Sequence, residues 1–138
     1  MRQASTMLNV RAPGQGLHEF TGQCAEWVAA SGICDGLLTL FCRHTSASLL
    51  IQENAAHAAR RDLEEYFARL APESPSYAHD DEGPDDMPAH LRTALTAVNL
   101  SIPVQHGRMM LGTWQGIYLF EHRRDPPPRQ IVLHLAGV

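Results

Sequence analysis

Five acidic residues and two histidines crowd into the fourteen positions from Tyr77 to His90. They are His79, Asp80, Asp81, Glu82, Asp85, Asp86 and His90, and no other stretch of the chain is so dense in groups that ligate metals. Imidazole nitrogens and carboxylate oxygens gathered around one point make a divalent-cation site. Gly83-Pro84 forces a turn, and Pro88 suits the first turn of a helix. The acids are therefore expected on a loop that runs into a helix starting between Asp86 and Ala89. His90 then falls in the first helical turn, and a turn folding His79 back brings the two imidazoles together with one or two carboxylates. The alternative is a solvated acidic loop capping the helix, since Asp and Glu favour helix N-termini in any case.

The rest of the chain has to hold that stretch in place. Thr6 to Arg11 alternates as a short strand, broken by Pro13-Gly14-Gln15-Gly16. Phe20, Cys24, Trp27 and Val28 recur at helical spacing, with Thr21 as N-cap and Gly32 as the stop. Gly36 to Arg43 reads as a central strand with Leu38, Leu40 and Cys42 on one face and His44 in phase with it. His44 is then either a satisfied buried histidine or a ligand at the sheet's rim. Thr45, Ser46 and Ser48 follow, with hydroxyls that can cap, turn or bind an anion, before Leu49 to Ile51 resumes a strand. Ala55 to Leu70 carries an amphipathic stripe of Ala56, Ala59, Leu63, Tyr66, Phe67 and Leu70.

Leu91, Ala94, Leu95 and Val98 mark a third helix. Ser101 to Gln105, Arg108 to Thr113, Gly116 to Arg123 and Gln130 to Leu135 read as strands, with a turn at Gly107 and a stiff hairpin-like connector at Asp125-Pro126-Pro127-Pro128. Two or three helices among about seven strands predict a single α+β domain over 1–138, with mainly antiparallel strands in a sandwich-like arrangement.

Composition narrows the function classes. A chain of 138 residues with 44% hydrophobic content is one globular domain by size. A formal net charge of -4 and no basic run argue against a nucleic-acid partner. No run is long and apolar enough for a signal peptide or a membrane span, so no membrane partner is expected. Cys24, Cys34 and Cys42 form no CxxC and are odd in number, which predicts reduced thiols in a cytoplasmic setting.

Three blocks then resemble one family. They are His44-Thr45-Ser46-Ala47-Ser48-Leu49 with Glu53-Asn54; His79-Asp80 through Glu82-Gly83 to Asp85-Asp86-Met87-Pro88-Ala89-His90; and Leu111-Gly112-Thr113-Trp114-Gln115-Gly116-Ile117 with Glu121-His122-Arg123. Together, in this order and spacing, they resemble the YjbQ-type family, known as secondary thiamine-phosphate synthases. The resemblance covers nearly the whole chain and is weakest at the termini. It departs from the family at Arg92, where Lys is common, near His106, where Asn or Lys is common, and at Pro126 to Pro128, where a Gly-rich hairpin is common.

The resemblance implies an α+β fold around a threefold axis, a homotrimer, and a histidine-lined cleft that holds a metal. His44, His79 and His90 are the metal ligands it favours, the metal being zinc or magnesium. His44, His90, Asp85 and Glu82 become the candidate catalytic residues. A phosphorylated small molecule would be held by Thr45, Ser46, Ser48 and Asn54 together with Arg92, Arg108, Gln115 and Arg123. Trp114 reads as a packing residue at a sheet or subunit contact, and Glu121 with Arg123 as a salt-bridged strand end.

Three functions fit these residues. A transferase would join a pyrimidine pyrophosphate to a thiazole phosphate and release pyrophosphate, which requires a metal and arginines at the leaving group. A metal-dependent hydrolase or phosphatase-like enzyme would activate water, with Asp85 or Glu82 as base. A non-catalytic metal- or ligand-binding trimer needs neither.

Overall fold

A computed structural model describes residues 1–138 and shows an α+β fold of eight strands and three helices. The strands are β1 (Arg2–Val10), β2 (Gly16–Glu19), β3 (Gly36–Cys42), β4 (Ala47–Glu53), β5 (Asn99–Gln105), β6 (Arg108–Met109), β7 (Gln115–Glu121) and β8 (Arg129–Gly137). The helices are α1 (Thr21–Ser31), α2 (His57–Leu70) and α3 (Asp86–Leu95). One sheet has the order β1-β8-β3-β5-β6 and the other β2-β7-β4, with every pairing antiparallel.

The core lies between the sheets, because alternation on each strand sends one set of side chains inward. Leu38, Leu40, Leu133 and Leu135 of the larger sheet meet Leu49, Ile117 and Leu119 of the smaller, and Cys24 and Val28 of α1 join them. The other face of the smaller sheet packs Leu17, Tyr118 and Phe120 against Leu63 and Phe67 of α2. Tyr66 and Leu70, expected on the same buried stripe, are about half exposed. The outer face of the larger sheet carries no helix, and its register lines up Met7, Val132 and Phe41 in one row.

Several expectations are corrected. The punctuation at Pro13 to Gly16 conceals β2, which begins at Gly16 and pairs with β7. Thr21 does not cap α1: its hydroxyl donates to Glu19 Oε2 at 2.7 Å and accepts the Ile117 N–H at 2.8 Å. Gly32 does end that helix, in the left-handed conformation at φ 72°. His106 and Gly107, both at positive φ, form the two-residue turn between β5 and β6. The proline-rich connector is no hairpin, because β7 and β8 belong to different sheets and residues 122–128 cross the end of the sandwich. The β3–β4 connection, 43–46, makes the same crossing. These two crossovers and the start of α3 meet at one end of the molecule.

Candidate metal centre

α3 begins where Gly83, at φ 101°, and Pro84 turn the chain, so Asp86 opens the helix and His90 follows one turn later. Residues four apart share a helix face, which brings His90 Nε2 to 3.3 Å from Asp86 Oδ2. The loop folds His79 back onto the same oxygen, with Nε2 at 2.9 Å. Glu82 Oε2 lies 3.8 Å from that nitrogen. One ligand atom from each of His79, Glu82, Asp86 and His90 falls within 4.8 Å of all the others.

The surroundings orient these groups. Asp86 is buried, and its Oδ1 accepts Arg123 Nη1 at 2.6 Å. His90 Nδ1 lies 3.0 Å from the carbonyl oxygen of Thr45, so that nitrogen carries the hydrogen. In the neutral ring Nε2 then aims a lone pair at a carboxylate oxygen. A cation between that nitrogen and the carboxylate oxygen would turn the contact into shared ligation. An imidazole whose far N–H is tied to a carbonyl is the usual dress of a metal ligand. The two imidazoles and the buried Asp86 carboxylate suit a divalent transition ion such as zinc, with the exposed Glu82 carboxylate beside them.

Two openings flank the cluster. A cavity of about 500 Å³ has His79, Tyr77, Asp80 and Met87 in its wall. A groove of about 790 Å³ has His90, His44, Thr45, Thr93 and Thr96 along it, with Phe41 at its rim.

The other expected site residues are placed as follows. His44 does not join His79 and His90: its Nε2 accepts the Gln130 N–H at 2.8 Å and its Nδ1 lies 3.4 Å from Arg129 Nη1. Burial and the Arg129 charge hold His44 below the ordinary histidine pKa. Asp85 is no free base, because it accepts Arg123 Nε at 3.1 Å and the Arg124 N–H at 2.9 Å. Burial alone would raise its pKa, but these donors outweigh it and hold the carboxyl below its usual range. Arg123 also donates to the Glu82 carbonyl at 2.9 Å, which leaves its fork spent on the protein rather than open to phosphate.

Arg92 donates twice to the Ala71 carbonyl, at 3.1 and 2.9 Å, closing the end of α2. Ser48 is fully buried, 3.0 Å from His122 Nε2, and accepts the Thr96 hydroxyl at 2.7 Å. Thr45 and Ser46 contribute carbonyls, to His90 and to Arg129. Asn54 and Gln115 sit at the far end of the smaller sheet, where Asn54 donates to Glu19 Oε2 at 3.5 Å and Gln115 accepts the Gly112 N–H at 2.7 Å. Gln115 and Glu121 stand six positions apart on β7, roughly 20 Å of strand. Arg108 lines a separate cavity beside α1.

Sequence reasoning named Asp86 among the nearest carboxylates but gave it no site role, although its four-residue spacing from His90 on one helix was a readable sign. It also missed Glu121 and Arg129, since Glu121 pairs with Arg129 and not with Arg123. Arg129 Nε and Nη2 each reach a Glu121 oxygen at 2.6 Å, in a buried bidentate pair. His122 is likewise fully buried. Burial, with the Arg92 and Arg129 charges, pushes its pKa down to about 3.

The same fold occurs in solved structures. A YbjQ-like protein of unknown function from Sulfolobus solfataricus superposes with a TM-score of 0.85 at 23% identity, over 99% of this chain and 97% of that one. A conserved hypothetical protein from Thermus thermophilus gives 0.85 at 31% identity, over 95% and 99%. In sequence, a UPF0047 protein of Synechocystis is 47% identical over 137 residues, spanning 99% of this chain and 93% of its own. The YjbQ protein of Escherichia coli O157:H7 is 40% identical over 131 residues, 94% of this chain and 95% of its own. The model of the UPF0047 YjbQ-like family matches residues 6–138, a span that contains every residue of the centre just described. By the length of that match and the identity of these relatives, the chain belongs to the UPF0047 YjbQ-like family.

Proposed function

We propose that this protein is a metal-dependent hydrolase acting on a small phosphorylated molecule, with a divalent ion such as zinc held by His79, Asp86 and His90. The observation that carries this reading is the His90 ring, whose Nδ1 is fixed on the Thr45 carbonyl while Nε2 faces Asp86 Oδ2 at 3.3 Å. An ion bound there supplies Lewis-acid polarisation of a phosphoryl group and a water acidic enough to attack near neutral pH. Asp86 and the imidazoles set its position. Glu82, exposed and beside His79, is the carboxylate left to accept a proton, since Asp85 is engaged by Arg123 and Arg124.

The secondary thiamine-phosphate synthase reading draws less support. Loss of pyrophosphate calls for cations around the leaving group, and Arg92 and Arg123 are both bonded to the protein. A homotrimer accompanies the hydrolase reading, packed through the open face that presents Met7, Phe41 and Leu37. Three free cysteines fit a reducing compartment such as the cytoplasm.

The test is phosphate release from a panel of small phosphate esters by metal-stripped protein, before and after zinc, manganese or magnesium is restored. Metal-dependent release that His90→Ala abolishes supports the hydrolase. Pyrophosphate release only when both thiamine halves are present would put the synthase in its place.

A further inference from the structure

Glu121 and Arg129 close the two ends of the β7–β8 crossover. The Glu121 carboxylate takes four hydrogen bonds: two from the Arg129 guanidinium at 2.6 Å, and the His122 and Arg123 backbone N–H groups on Oε2 at 3.0 Å each. Those two amides fix the chain where Arg123 leaves the sheet, and Arg123 then grips Asp86 Oδ1 at 2.6 Å. On the other side, Arg129 Nη2 donates to the Ser46 carbonyl at 3.2 Å. The neighbouring carbonyl, Thr45, accepts His90 Nδ1–H at 3.0 Å. Gln130, next to Arg129, holds His44 at the start of the same loop.

Both supports of the centre, the guanidinium on Asp86 and the carbonyl on His90, therefore hang from one buried ion pair. Resting on the metal-site reading, we infer that Glu121–Arg129 is the positioning pair of the centre, setting the orientation of Asp86 and the tautomer of His90. A buried ion pair adds little net stability over apolar residues of the same volume, so its use here is to fix geometry. Neither residue belongs to the cluster of His79, Glu82, Asp86 and His90 that would hold the ion. They act through Arg123 and Thr45.

The test uses Arg129→Lys, Glu121→Gln and the double variant Glu121→Gln/Arg129→Gln, which leaves no buried charge behind if a single change prevents folding. Nitrogen-15 NMR of the metal-free protein reads the His90 tautomer, and competition with a chromogenic chelator reads zinc affinity. Wild type shows hydrogen on Nδ1. The variants lose that preference and bind zinc about ten- to a hundredfold more weakly. Leu135→Ala, a core truncation at the other end of β8, lowers the melting temperature without moving either reading. Variants that keep the wild-type tautomer and affinity would overturn the inference, as would Leu135→Ala weakening zinc equally. If wild type binds no zinc, the metal reading fails, and the tautomer still decides the positioning claim.

Discussion

Asp86 and His90 stand one turn apart on α3 with Oδ2 and Nε2 3.3 Å from each other, and each is held from behind by a different crossover loop. Arg123 holds the acid and Thr45 the imidazole. The pair is thus aimed inward by long-range contacts, although its spacing comes from the helix alone.

Asp86→Asn keeps the side-chain volume and removes the charge. It should abolish tight zinc binding, because the ion loses its only buried carboxylate. It should also destabilise the fold by about 1 to 3 kcal/mol, since Arg123 loses a charged partner. Zinc titration and urea unfolding of the metal-free protein check the two effects separately.

His44→Ala separates structure from ligation. The Gln130 N–H loses its acceptor, so stability should fall by about 1 to 3 kcal/mol, while zinc stoichiometry stays at the wild-type value. Loss of the ion in this variant would restore His44 to the ligand set.

Stability should fall as the medium is acidified, in part through His122. The unfolded chain protonates this ring near 6.5, the folded chain only at about 3, so between those values protons favour unfolding. The contribution is full above pH 6.5 and declines towards pH 3, by up to about 1.4 kcal/mol per unit. His44, also lowered, adds a decline of the same sign. Urea midpoints compared between about pH 7 and pH 5 should show a shallower slope for His122→Gln than for wild type. Equal slopes would mean that His122 is protonated in the folded protein.

The local part of this architecture was legible in the residues. Gly83-Pro84 and Pro88 marked the start of α3, Gly32 the end of α1, and Gly107 the β5–β6 turn, because each acts on its own neighbours. The unread parts depend on distant partners. Nothing near Ser48 reveals that His122 and Thr96 will surround it. Glu121 sits beside Arg123 in the chain, but the turn after β7 sends Arg123 to α3 and leaves Glu121 for Arg129. The four-residue step from Asp86 to His90 was visible, yet Asp85 and Glu82 drew the candidate roles because all three lie in one acidic run.

The assembly has its own check. Phe41 and Met7 are exposed on a sheet face that no helix covers, so Phe41→Glu should dissociate a trimer without unfolding the chain. Sedimentation velocity distinguishes the species. A wild-type protein that sediments as a monomer at micromolar concentration would remove the trimer from the proposal.

The most direct measurement is a titration of metal-stripped protein with cobalt(II), followed by visible absorption, for wild type and for His90→Ala. The proposed metal site predicts saturation at one ion per chain with the intense bands of a low-coordinate site containing nitrogen ligands, and no such bands in His90→Ala. No saturable signal in wild type, or an identical one in His90→Ala, would contradict it.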